Sequence, residues 1–155
     1  MKAVAIAVLS LAMAGLCSAQ TSSPGSASGA GASMAPYTEG PVWEITMIRT
    51  KPGMDDDYLK NLANAWKSTN EEAKRQGIIQ DYKVLIGDAS GRDDYNVLLM
   101  VEFKNMAALD GLREKTDPIA RKLIGSEDAI RQGAVKRMEI RDILGAKTLR
   151  EITLK

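Results

Sequence analysis

Residues 43–50, "WEITMIRT", alternate in period two. Trp43, Ile45 and Met47 fall on one face and Glu44 and Thr46 on the other, which predicts a strand. Lys51-Pro52-Gly53 then supplies a turn, with proline where φ is preset and glycine where φ must be positive. From residue 55 the period lengthens. Leu59, Leu62, Trp66, Thr69 and Ala73 recur at helical spacing, predicting a helix over 55–76 that stops at Gly77. "IIQDYKVLIG" and "YNVLLMVEF" read as two further strands, and the turn-rich "GDASGRDD" between them as a hairpin loop. Asn105 is placed to cap a second helix containing Leu109 and Leu112. Pro118, with Asp117 as its cap, predicts a new helical segment or a kink. Residues 127–144 carry Ile130, Ala134, Met138 and Ile143 at helical spacing, with Gly145 as the stop, and "KTLREITL" reads as a last strand. The mixed spacing of "AVKRMEIRDIL" leaves a strand over 134–144 as the alternative.

The order β-α-β-β-α-(α)-β is that of an α+β, ferredoxin-like split βαβ sandwich. Such a sandwich has one antiparallel sheet with helices on one face, and here an extra C-terminal helix. In the third strand Val97, Leu99, Val101 and Phe103 share one face, while Leu98 and Met100 share the other. Leu85 and Ile48 add apolar content opposite Val84 and Met47. Apolar residues on both faces imply that something covers the sheet, and a second copy of the chain is the simplest cover. A sheet-to-sheet homodimer is therefore expected.

The first strand "WEITMIRT", the "KPGMDDDYL" entry into the first helix and the two adjacent strands that follow resemble the dimeric α/β-barrel superfamily. In it two ferredoxin-like subunits pack sheet against sheet; its members include antibiotic-biosynthesis monooxygenase-like and NIPSNAP-like proteins. The likeness spans about residues 41–125, and "RDILGAKTLREITLK" departs from the compact pattern. The superfamily holds monooxygenases, haem-degrading enzymes, haem peroxidases, isomerases and stress-induced proteins, so the resemblance implies a fold and not one activity.

At the amino end, Lys2 and the apolar "AVAIAVLSLAMAG" followed by "CSAQ" read as a signal peptide, residues 1–19, cut after Ala19. A lipid anchor on Cys17 is the rival, although Leu16 is larger than such signals want before the cysteine. Cleavage implies a secreted or periplasmic protein with no stable membrane insertion. The Gly/Ser-rich stretch that follows reads as a flexible tether over residues 20–40, ahead of one domain over 41–155. Losing Lys2 leaves 20 of the 21 basic residues against 20 acidic ones, so the mature chain has no net charge with which to hold nucleic acid. Losing Cys17 removes its one thiol, and with it disulfides and cysteine nucleophiles.

The chain contains no histidine. A Ser-His-Asp relay, a His-ligated haem and the usual catalytic zinc sites therefore lose their central group, and no cofactor is expected. Asp55, Asp56 and Asp57 look like metal ligands, but consecutive helical residues fan out by about 100° each. They fit a helix entry better, with Asp55 as N-cap and Met54 and Leu59 as a hydrophobic staple. Asp88, Ser90, Asp93 and Asp94 lack the ligand order of a calcium loop and read as a solvated turn. No metal site is expected. Arg150 and Glu151 read as a surface ion pair. Trp43 and Trp66 are candidates to line a cavity between the sheet and the first helix, with Arg49 and Tyr82 as polar groups orienting a ligand. No catalytic residue is identifiable. The first reading is a dimer that binds a small apolar ligand or serves a structural role. The alternatives are a cofactor-independent monooxygenase or isomerase on a small organic substrate, and a cell-surface interaction module.

Overall fold

The computed structural model describes residues 35–155. The expected signal peptide and the tether up to residue 34 lie outside the described residues. β1 (Tyr37–Thr50) begins within the stretch expected as tether, because Tyr37, Thr38 and Glu39 pair with Leu154, Thr153 and Ile152 of the last strand. The chain continues through α1 (Asp55–Asn61), a π-helical stretch (Leu62–Lys67) and α2 (Ser68–Arg75) to β2 (Asp81–Ile86) and β3 (Val97–Phe103). A 3-10 turn (Met106–Leu109), α3 (Leu112–Leu123), α4 (Glu127–Ile140) and β4 (Arg141–Leu154) complete it. All three strand pairings are antiparallel and the sheet order is β2-β3-β1-β4, the ferredoxin-like arrangement expected from the sequence.

Gly77 ends α2 as expected. It has φ 71°, its N–H donates to the Lys74 carbonyl, and the Ile78 N–H donates to that of Ala73. Four local expectations fail for identifiable reasons. Met54, not Asp55, holds the N-cap position, because the Asp55 carboxylate is bound elsewhere. Pro118 neither starts nor breaks a helix: α3 runs through it, and Asp117 pairs with Arg113 at 3.4 Å. The last helix ends at Ile140 rather than near Gly145. There β1 offers unpaired backbone, so that Arg141 pairs with Thr50, Asp142 with Arg49 and Ile143 with Ile48. Gly145 stands opposite Met47 beside a register shift, inside the strand. The Arg150–Glu151 pair does not form either: Arg150 pairs with Glu39, and Glu151 accepts from Trp43.

The register decides which face meets the helices. Val42 lies opposite Phe103 and Ile48 opposite Val97, so the even positions of β1 share a face with the odd positions of β3. On that face Val42 and Phe103 pack with Ala73, Ile79 and Ile119, and Ile48, Val97 and Leu99 pack with Tyr58 and Leu62. Trp43, Ile45 and Met47 consequently belong to the opposite, uncovered face, with Leu98, Met100 and Leu149.

A candidate pocket between the helices and the sheet

A partly enclosed hollow lies on the helical side. It has a volume of about 220 Å³ and walls from α1, the π-helical stretch, α2, β3, α3, α4 and the first residue of β4. Leu62, Ala65, Trp66, Leu99 and Ile124 supply its apolar surface. The π-helical stretch is the local device that builds the wall. A widened turn is a recurrent feature of functional sites, and here it carries Leu62, Ala65 and Trp66 to the pocket. Trp66 is steadied from behind by Tyr82, ring centroids 5.3 Å apart at 85°. Tyr82 is anchored in turn by a 2.6 Å hydrogen bond to Glu71, which pushes its phenol up to about 12.

The polar side of the same pocket comes from Tyr58, Arg137 and Arg141. The Arg141 guanidinium lies over the Tyr58 ring, 5.4 Å from its centroid. Tyr58 is fully buried, and neither its Oη nor Arg141 Nε has a hydrogen-bond partner among the described residues. Burial raises the Tyr58 pKa, against the opposing pull of the Arg141 and Arg137 charges, so the phenol is neutral. Burial and the adjacent Arg141 charge lower the pKa of Arg137.

The four residues expected to line a ligand site are not brought together. Trp66 lines the pocket and Tyr82 braces it. Trp43 lies on the other side of the sheet, where its Nε1 donates to Glu151 at 3.0 Å and Lys83 Nζ sits 4.9 Å above its ring. The alternation shows which residues share a face of β1 but not which face the helices cover. Arg49 donates to the Asp94 carbonyl at the hairpin end, beside a polar hollow whose wall is a knot of hydrogen bonds. In that knot Thr50 Oγ1 and Asn96 Nδ2 both donate to Asp55 Oδ1, at 2.5 and 2.9 Å. Sequence reasoning missed Tyr58, Arg137 and Arg141. The available signal was Arg137 at i+7 from Ile130, a basic residue on the stripe that α4 turns inward.

The fold and pocket define a ferredoxin-like α+β domain with a small, partly apolar cavity under its helices. The chain is similar to a NIPSNAP family protein of unknown function from Agrobacterium tumefaciens str. C58, at 14% identity and TM-score 0.46, covering 75% of this chain and 90% of that one. It is similar to a protein from Shewanella oneidensis at 16% identity and TM-score 0.45, covering 75% and 95%. A dimeric ferredoxin-like protein from an uncultured marine organism matches at 10% identity and TM-score 0.43, covering 76% and 90%. The fold itself rests on the sheet order and register. No protein-family profile matches the chain, and no curated protein sequence does.

Proposed function

We propose that the protein is an exported homodimer that binds a small, largely apolar molecule in the pocket under Trp66. The observation that carries the ligand is the pair of unpartnered buried polar atoms, Tyr58 Oη and Arg141 Nε, in the wall of an otherwise apolar cavity. Buried polar groups are nearly always satisfied, so two orphans at one cavity call for a bound partner. Binding is favoured over turnover because the titratable side chains lining the pocket are one neutral phenol and two guanidiniums. None of these is a base near neutral pH.

The dimer is supported by the uncovered sheet face. Ile45, Met47, Leu98 and Met100 form its centre, and Leu85 and Leu149 are about half exposed at 50% and 49%. Packing that face against its copy buries it on both subunits with one self-complementary contact. Export is supported by the pattern of residues 1–19. Native mass spectrometry of protein purified from its own compartment tests all three parts. The expected result is a dimer of chains beginning at Gln20 with a retained small molecule. A monomer would overturn the sheet-to-sheet assembly, an intact Met1 would overturn cleavage, and thermal-shift screening without a hit would overturn the ligand.

A further inference from the structure

The two guanidiniums at the pocket are a like-charged pair without a counter-ion. Among the described residues neither Arg137 nor Arg141 forms an ion pair or hydrogen bond through its side chain, although other exposed arginines do, such as Arg75 with Glu72 and Arg121 with Glu127. Both are only partly exposed, and the only side-chain partner either has is the Tyr58 ring under Arg141. Two cations held together beside apolar surface repel one another and are poorly solvated, a costly arrangement unless an anion completes it. Guanidinium is the group best matched to a planar oxyanion, which it binds through two parallel hydrogen bonds. The neighbouring Tyr58 hydroxyl is a further donor without an acceptor.

We propose that the ligand is a small aromatic carboxylate, its anionic group between Arg137 and Arg141 beside the Tyr58 hydroxyl and its ring against Trp66. This rests on the reading of the pocket as a ligand site and names the class of ligand. The size fits: about 220 Å³ is below the range of about 300–1,000 Å³ usual for drug-sized ligands, which points to a single-ring acid. The apolar wall of Leu62, Ala65, Leu99 and Ile124 suits the ring of such an acid.

Benzoate and phenylacetate, with benzamide and phenylacetamide as neutral partners of the same shape, are the probes. Binding to the full chain is read by calorimetry and by Trp66 fluorescence in a Trp43→Phe background, Trp43 being on the opposite sheet face. The acids are expected to bind about tenfold or more tightly than their amides, the ratio of a charge-assisted to a neutral contact. Arg137→Met and Arg141→Met keep the aliphatic stem and should erase that preference, bringing the acids down to the affinity of their amides. Equal affinity for acids and amides would overturn the carboxylate and leave the pocket. Tighter binding of phenyl phosphate would also overturn it. No binding of any aromatic probe would overturn the pocket reading itself.

Discussion

Replacing Tyr58 by phenylalanine tests whether its buried hydroxyl is kept for a ligand rather than for the fold. The ring is fully buried with Ile48, Leu62, Val97 and Leu99, and the Oη has no partner among the described residues. Phenylalanine keeps the ring, its packing and its face toward Arg141, 5.4 Å away, and deletes only the oxygen. A buried hydroxyl left without a hydrogen bond costs about 1–3 kcal/mol. Taking the lower end, because local relaxation recovers part of it, the empty variant should be more stable by about 1 kcal/mol. For a domain of this size that raises Tm by roughly 3–6 °C. Ligand affinity should move the other way, by about tenfold for one lost charge-assisted hydrogen bond.

Urea unfolding of the ligand-free protein at one fixed concentration measures the first effect, with equal m-values confirming that only stability changed. A pH series adds a second signature. Because burial raises the Tyr58 pKa in the folded state, its contribution is whole below the unfolded value of about 10 and is lost as pH rises through the folded value. The wild type should therefore weaken more steeply than the variant above pH 10. A variant destabilised by more than about 1 kcal/mol, the worth of a typical satisfied hydrogen bond, would refute the reasoning. The hydroxyl would then have a partner in the folded protein.

Asn96→Ala should cost about 2–4 kcal/mol in urea unfolding, since it removes three hydrogen bonds and leaves the buried Thr50 N–H without its acceptor. Met100→Glu sets a carboxylate at the centre of the uncovered sheet face. In a monomer that face is wet and the change is mild; in the proposed dimer two charges are buried. Light scattering should therefore show dissociation, with affinity down on the order of a thousandfold. A dimer of unchanged affinity would place the contact elsewhere. Hydrogen bonds from Arg75 and Gln76 lower the Glu72 pKa to about 2, so its contribution is present above pH 4.5 and is lost as pH falls toward 2. Arg75→Ala should flatten acid unfolding over that window, and an unchanged acid limb would show the exposed pair to be immaterial.

What was legible in the sequence is what local chemistry decides. Period two marked the strands, Pro52-Gly53 and Gly77 marked the ends of the first helical run, and the order of elements sufficed for the sheet topology. The pocket was half legible, through Trp66 alone. Its other side depends on where the chain passes from helix to strand, and "MEIRDIL" contains neither glycine nor proline to mark the change. Pairing of Arg141 with Thr50 and of the Lys51 N–H with the Ile140 carbonyl fixes the passage, and both are contacts across the whole domain. Trp43 was misplaced for a related reason. The odd positions of β1 are the more apolar set over 43–50, while the even set carries Glu44, Thr46 and Thr50; the residues that settle the matter, Val42 and Ile48, do so only through partners on β3.

The cavity and the uncovered face are two results of one packing arrangement. Helices lie on one side of the sheet, which leaves Ile45, Met47, Leu98 and Met100 on the side that the proposed dimer covers with its second copy. On the helical side α1, the π-helical stretch and α2 press Tyr58, Leu62 and Ala73 into the core, whereas α4 contributes no fully buried residue. Its inward positions include Gly133 and Arg137, one too small and the other too polar to fill the space above Tyr58. Leucine at 137 would suit a core whose only task was stability. An arginine there, paired with Arg141 and left without a carboxylate, forgoes packing energy in favour of a charged, partly open site. Natural proteins accept such local losses where binding requires them.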